Sequence, residues 1–386
     1  MQIANRIDRL GTETSFVVLA RARELEAQGR DIVHLEIGEP DFATAPNIIE
    51  AAKKALDAGF THYGPAAGLP EFRKVIAEVE GARRGLEFKP EQVVVTPGAK
   101  PIMYYVFMAV INPGDEVIYP NPGFPIYESG IELAGGVPVP LAITEAMDFK
   151  FSIENLKTLI TPKTKMIVLN SPQNPTGGIL TQDDLKQIAE LAVKHDLYVL
   201  ADEIYGRITY DGFKNYTIAS YPGMMERTII LDGFSKTYAM TGWRLGFGIM
   251  PAELALIVAK LQTNVASCTA SFVQVAGIEA LTGPQHWVDE VVEEFRRRRD
   301  FIVDGLNTIP GFTCRKPLGA FYVFPNITAT GADSKTLANR LLNEAGVACL
   351  SGHTFGKFGE GHIRFSYANS IQNIEKAIGR IKALLS

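Results

Sequence analysis

Lys236 lies in the run Gly233-Phe-Ser-Lys-Thr-Tyr-Ala-Met-Thr-Gly-Trp-Arg-Leu-Gly246, with a hydroxyl just before it at Ser235 and a guanidinium eight residues after it at Arg244. An amine condenses with an aldehyde, whereas a hydroxyl and a permanently charged, bidentate guanidinium suit a phosphate. The run therefore fits a cofactor that carries both an aldehyde and a phosphate. Pyridoxal 5'-phosphate is such a cofactor.

Rigid elements must hold these groups. The apolar run Lys165-Met-Ile-Val-Leu169 reads as a strand, and Asn170-Ser-Pro-Gln-Asn174-Pro-Thr-Gly-Gly178 as the turn that follows it. Leu197-Tyr-Val-Leu-Ala-Asp202-Glu-Ile-Tyr205 reads as a second buried strand, with a carboxylate at its end and the Tyr205 phenol one helical turn further on. Between them, residues 181–196 predict a helix. Thr181 and Asp184 make a capping box, and Leu185, Ile188, Leu191 and Ala192 form an apolar stripe. Strand, helix, strand predicts a parallel crossover, which sets Asn174 and Asp202 at the carboxyl ends of strands, where open α/β sheets bind ligands.

Val93-Val-Val-Thr-Pro-Gly98-Ala-Lys100 is a strand, a glycine turn and a helix start, so the amides of Gly98, Ala99 and Lys100 can meet a phosphate. Residues 116–120, 227–232 and 243–250 add strands. The fold class is α/β, built on a large, mostly parallel sheet. An amphipathic helix within residues 11–28 leads to His34-Leu-Glu-Ile-Gly38, and one long helix covers residues 285–307. The C-terminal third alternates strands at 319–324 and 362–367 with helices at 335–345 and 371–385, as a smaller α+β domain.

Bulk properties narrow the class further. With 386 residues the chain is long enough for about two domains, and its net charge of −5 argues against a nucleic-acid partner. No apolar run reaches the roughly 18 residues of a membrane span. Residues 1–9 are charged and lack the apolar core of a secretory signal, so a cytoplasmic enzyme is expected. Cys268, Cys314 and Cys349 are far apart and read as reduced core cysteines. Neither they nor the six histidines have zinc spacing, so no metal is expected. Arg296 to Arg299, flanked by Glu293, Glu294 and Asp300, reads as a solvated helix face.

Gly38-Glu-Pro-Asp-Phe42, Tyr63-Gly-Pro-Ala-Ala-Gly-Leu-Pro70, the Asn174 turn, the Asp202 strand, the Lys236 run and His362-Ile-Arg364-Phe-Ser-Tyr367 together span the chain. The sequence resembles the class I, fold type I, pyridoxal-phosphate-dependent aminotransferases, among them the prokaryotic aspartate aminotransferases. The resemblance implies a large cofactor-binding domain, residues 41–290, with a mostly parallel seven-stranded sheet. It also implies a small domain, residues 1–40 and 291–386, that closes over the substrate, and a homodimer with shared active sites. The implied reaction passes an amino group from an L-amino acid resembling aspartate or glutamate to a 2-oxo acid such as 2-oxoglutarate.

On matching positions, the resemblance makes Lys236 the residue that bonds the aldehyde and moves the α-proton, and Asp202 the partner of the pyridine nitrogen. Tyr205 and Asn174 would hydrogen-bond the phenolic oxygen. Ser235, Arg244, the amides of Gly98, Ala99 and Lys100, and Tyr63 from the other subunit would hold the phosphate. Phe124 would stack on the cofactor ring. Several relatives carry tryptophan there, so the indole's hydrogen bond does not carry over. Arg364, helped by the Gly38 backbone, would bind the substrate α-carboxylate, with Phe124 and Asn174 also bordering the substrate.

These residues leave the amino donor open: alanine, aromatic or kynurenine-type donors, and C–S lyase chemistry, remain alternatives. No arginine stands between residues 261 and 272, where Asn264 and Ser267 mark an expected partner-chain pocket loop. Lys100 matches a lysine that in some prokaryotic relatives meets the distal carboxylate of aspartate or glutamate, the phosphate being its other possible ligand. A gene regulator built on this domain needs an added DNA-binding segment, for which the stretch before Gly38 leaves no room. A nicotinamide dehydrogenase is disfavoured because Gly356-Lys-Phe-Gly359-Glu-Gly361 has the wrong spacing.

Overall fold

The structure, a computed structural model, describes residues 3–11 and 13–386. Met1 and Gln2 of the N-terminal nonapeptide, and Thr12 of the expected first helix, lie outside the described residues.

β1 (Val33–His34) stands apart from the central sheet. That sheet comprises β2 (Val93–Thr96), β3 (Glu116–Asn121), β4 (Val137–Ala142), β5 (Thr164–Asn170), β6 (Tyr198–Asp202), β7 (Thr228–Gly233) and β8 (Gly246–Ile249), in the order β2-β8-β7-β6-β5-β3-β4. β8 is antiparallel to β2 and β7, and the other pairings are parallel. Alternate residues feed two cores, as the strand period requires. Ile167, Leu169 and Val199 pack with Leu185 and Ile188 of the helix Gln182–Lys194, whereas Met166, Val168 and Leu200 pack with Ile102 and Val106 of the helix Lys100–Val110. Helices on both faces explain why these strands read as nearly continuous apolar runs. The Thr181–Asp184 capping box starts the crossover helix as expected, and β5 and β6 pair with Asn170 opposite Asp202.

The remaining strands form two small sheets. β9 (Tyr322–Val323), β11 (Leu350–Ser351) and β12 (Ile363–Ser366) make an antiparallel sheet in the order β11-β12-β9, and β10 (Val347–Ala348) pairs in parallel with β1. The beginning and end of the chain thereby share one core, in which Val33 and Leu35 meet Phe295, Phe321, Val347, Phe365 and Ile374. No described helix is long and apolar enough to cross a membrane.

Several local expectations need correction, among them the strand at residues 319–324, which is reduced to β9. The run at residues 243–250 is shorter as a strand, because Arg244 takes a positive φ of 55° and β8 begins only at Gly246. The helix Thr14–Ala27 buries Ala22 and Leu25 and leaves Phe16 and Val17 exposed, so it lacks a continuous buried stripe. Arg296 and Arg297 lie on a solvated face, but Arg298 and Arg299 are buried. Arg298 Nη1 meets Asp41 Oδ1 at 2.6 Å, and Arg299 grips both oxygens of Asp211 at 2.8 and 3.1 Å. A buried guanidinium requires such pairing.

Candidate active site

Between the carboxyl ends of the parallel strands and the small sheets lies a cavity of about 510 Å³. Gly38, Ala99, Lys100, Phe124, Asn174, Asp202, Tyr205, Ser235, Lys236, Arg244 and Arg364, all picked out from the sequence, border it. Gly98 stands against Arg244 at its edge. Tyr63 does not border this chain's cavity and is 90% exposed.

Asp202 ends β6 and is buried. Its Oδ2 accepts from the Tyr127 hydroxyl at 2.6 Å and its Oδ1 from the Ile204 amide at 3.2 Å. Burial outweighs these bonds and pushes the carboxyl up to about 6. Lys236 follows β7 and donates to the Gly38 carbonyl. Burial brings its amine down to about 8, against the opposing pull of Glu39. The close approach requires a glycine at position 38, since a Cβ there would lie 2.0 Å from the Tyr322 hydroxyl.

The Tyr205 and Tyr322 hydroxyls are 2.7 Å apart, and burial raises both phenols, so both stay protonated. The turn after β5 is fixed by a 2.9 Å bond from the Asn174 amide to Asn170 Oδ1. It presents Asn174 Oδ1 to Arg364 Nη1 at 3.1 Å. Arg364, on β12, also donates from Nη2 to the Glu36 carbonyl and lies 4.5 Å over the Tyr322 ring. Its Nε is buried without a partner among the described residues.

At the other end of the cavity the helix Lys100–Val110 begins behind the Gly98 turn. Gly98 has a φ of +87°, and a Cβ there would lie 2.1 Å from Arg244 Nη2. The guanidinium, Ser235 and the helix start thus share one end of the cavity. Lys100 pairs with Glu13 and sits 5.4 Å above the Phe124 ring. Phe124 in turn meets Tyr127 edge-on at 5.7 Å.

Pyridoxal 5'-phosphate fits this arrangement. The buried Asp202 carboxylate lacks the cation that a protonated ring nitrogen would give it. The unpartnered Arg364 Nε points to a missing anion, and the glycine-lined helix start suits a phosphate. Tyr127, Tyr322, Glu13 and Glu36, each bonded to a residue picked out from the sequence or to its close partner, went unmarked there. Tyr127 alone carried a local signal, standing three residues after Phe124 and so one helical turn along.

Residues 30–381 match the sequence profile of the family described as aminotransferase class I and II. The chain belongs to this family. It is 42% identical to an aspartate aminotransferase of Pyrococcus abyssi over 100% of this chain and 98% of that protein. It is also 42% identical to aromatic-amino-acid aminotransferase 2 of Thermococcus litoralis, over 93% of each. The solved structure of the Thermus thermophilus aspartate aminotransferase with maleate matches it with a TM-score of 0.95 and 37% identity, covering 100% of both chains. This aminotransferase therefore has the fold type I architecture, depends on pyridoxal 5'-phosphate and exchanges amino groups between amino acids and 2-oxo acids.

Proposed function

We propose that the enzyme takes the amino group of an L-aspartate-like or L-glutamate-like donor and gives it to a 2-oxo acid such as 2-oxoglutarate. The observation that carries this reading is Lys100, a cation of the cavity wall that, unlike Lys236, Arg244 and Arg364, is paired with a carboxylate lining the same cavity, that of Glu13. A donor's distal carboxylate would take the place of Glu13 while Arg364 holds the α-carboxylate.

When bound, pyridoxal 5'-phosphate supplies the aldehyde that takes up amines and a ring that draws electrons from the α-carbon. Asp202 would hold a proton on the ring nitrogen. Tyr205 and Asn174 would bond the phenolic oxygen, and Ser235, Arg244 and the amides of Gly98, Ala99 and Lys100 would hold the phosphate. Lys236, its amine brought down to about 8 by burial, is neutral far more often at neutral pH than an ordinary lysine and would accept the α-proton. By fixing the carboxylate, Arg364 would hold the donor so that loss of its α-proton is favoured over loss of carbon dioxide. Residues 41–290 serve as the cofactor domain, and residues 1–40 with 291–386 close over the substrate. The working unit is a cytoplasmic homodimer in which Tyr63 reaches the partner's phosphate, a role in keeping with its 90% exposure.

One observation favours a second reading. Glu13 neutralises Lys100, and Phe16, Met103 and Phe355 line the same cavity, a setting suited to an aromatic or aliphatic donor. Steady-state kinetics separate the two. On the dicarboxylate reading, Lys100→Ala raises KM for aspartate and glutamate by about tenfold or more, the loss of a charged hydrogen bond, and spares alanine. Glu13→Gln lowers those same KM values. An equal effect of Lys100→Ala on all donors assigns Lys100 to the phosphate instead.

A further inference from the structure

Glu36 has no exposure, yet its carboxylate lies close behind the site. Residues 33–36 thread between β10 and β12, with Leu35 N bonded to Ala348 O at 3.0 Å and Ser366 N to Leu35 O at 2.8 Å. Alternate residues of an extended chain share a face, which brings His34 beside Glu36. His34 Nδ1 meets Glu36 Oε1 at 2.8 Å, and His34 Nε2 meets Glu26 Oε1 at 3.0 Å. Glu26 belongs to the surface helix Thr14–Ala27, so the three side chains run from solvent to the buried interior. The second Glu36 oxygen is buried without a hydrogen-bond partner, as is Arg364 Nε. The Glu36 carbonyl already takes Arg364 Nη2, and the Glu36 charge reaches that guanidinium.

A buried carboxylate behind Arg364 competes with a substrate carboxylate unless something neutralises it. We propose that Glu26, His34 and Glu36 form a positioning relay in which the His34 imidazolium neutralises Glu36 and leaves Arg364 free to hold the substrate's α-carboxylate. The inference rests on the reading of Arg364 as the carboxylate ligand.

Glu36 and Glu26, opposed by burial, hold the His34 proton up to about 9. Among the described residues, no other charge is bonded to the ring. β10 brings Val347 and Ala348 only, and the adjoining Cys349 thiol is raised by burial. From the helix Ile371–Leu385, Lys376 and Arg380 are engaged with Asp31, and Asn369 donates to the His34 carbonyl. The imidazolium is therefore present at neutral pH and lost as the pH rises through about 9. Carboxylate affinity should fall with it, by the reciprocity of linked sites.

Maleate titrated by calorimetry into the cofactor-loaded enzyme tests the relay. His34→Gln, which strands the Glu36 charge, should weaken maleate by about tenfold, and the double variant His34→Gln/Glu36→Gln should regain most of the loss. In the wild type, the His34 ring followed by NMR should titrate near 9 and shift upward when maleate saturates the site. A single variant with wild-type affinity, a double variant as weak as the single, or a His34 titration unmoved by maleate overturns the relay. Arg364→Ala serves as the control. If it leaves maleate binding unchanged, the reading of Arg364 itself has failed, whereas a loss there with aberrant His34 variants sinks the relay alone.

Discussion

Asp202 is held ready for a cation at a cost to the empty protein. Its folded-state pKa, about 6, lies above the ordinary carboxylate value of 3.8, so the stability it contributes is present below that ordinary value and lost as the pH rises through about 6. Asp202→Asn should therefore stabilise the cofactor-free protein by about 2–3 kcal/mol near neutral pH, do little in acid, and weaken cofactor binding. Urea unfolding at the two pH values checks the sign, and an unchanged or lower stability near neutral pH would count against a desolvated Asp202. Such tension is common where a site is built for a ligand that supplies the missing charge. The types of Asp202, Lys236 and Arg364 were legible in the sequence because each chemistry needs that side chain at a turn or strand end. Their partners were not. Tyr127 meets Asp202 from 75 residues away, and Glu36 meets Arg364 from 328 residues away. No local pattern encodes such pairs.

At the scale of elements, the strand ends that carry Asp202 and Lys236 rest on a buried charge cluster. The helix Pro70–Arg84 brings Arg84 to Glu203 at 2.8 Å and to Asp232 at 3.0 Å, with Glu80 beside it, and Arg83 to Asp232 at 2.7 Å. Glu203 follows Asp202 directly, and Asp232 lies on β7, four residues before Lys236. Arg84→Met should cost about 3–5 kcal/mol of stability, since it leaves buried carboxylates uncompensated. Denaturant unfolding measures this, and a change under about 1 kcal/mol would show that the cluster does not support these strands. The strands themselves were readable from their apolar runs and the crossover helix from its capping box. Both signals are local. The aromatic run at residues 319–324 misled by one backbone feature: Ala320 has a φ of +57°, which shortens β9 to two residues. The arginine run in the helix His286–Leu306 misled in a different way, because Asp41 and Asp211, which draw Arg298 and Arg299 inward, come from distant segments.

At the scale of the whole molecule, Leu256, Ile257 and Val265 are exposed on the helix Ala252–Ala266, and Tyr63 is exposed as well. A second copy of the chain would cover apolar surface of this kind. If Tyr63 serves the partner's site, a heterodimer of Tyr63→Phe and Lys236→Ala subunits has one site with both lesions and one with neither. Mixing the two weakened enzymes should then restore about half of the wild-type activity per mixed dimer. Absence of recovery would place Tyr63 on its own chain's phosphate.

Arg364 and Lys100 border one cavity, and on the dicarboxylate reading these two cations choose the donor. The most direct test of that reading is a panel of amino donors, each measured as kcat/KM with 2-oxoglutarate as acceptor and, for glutamate, with oxaloacetate. Aspartate and glutamate should exceed alanine, phenylalanine and kynurenine by about tenfold or more, the value of one charged contact. Preference for alanine or an aromatic donor over both dicarboxylates would contradict it.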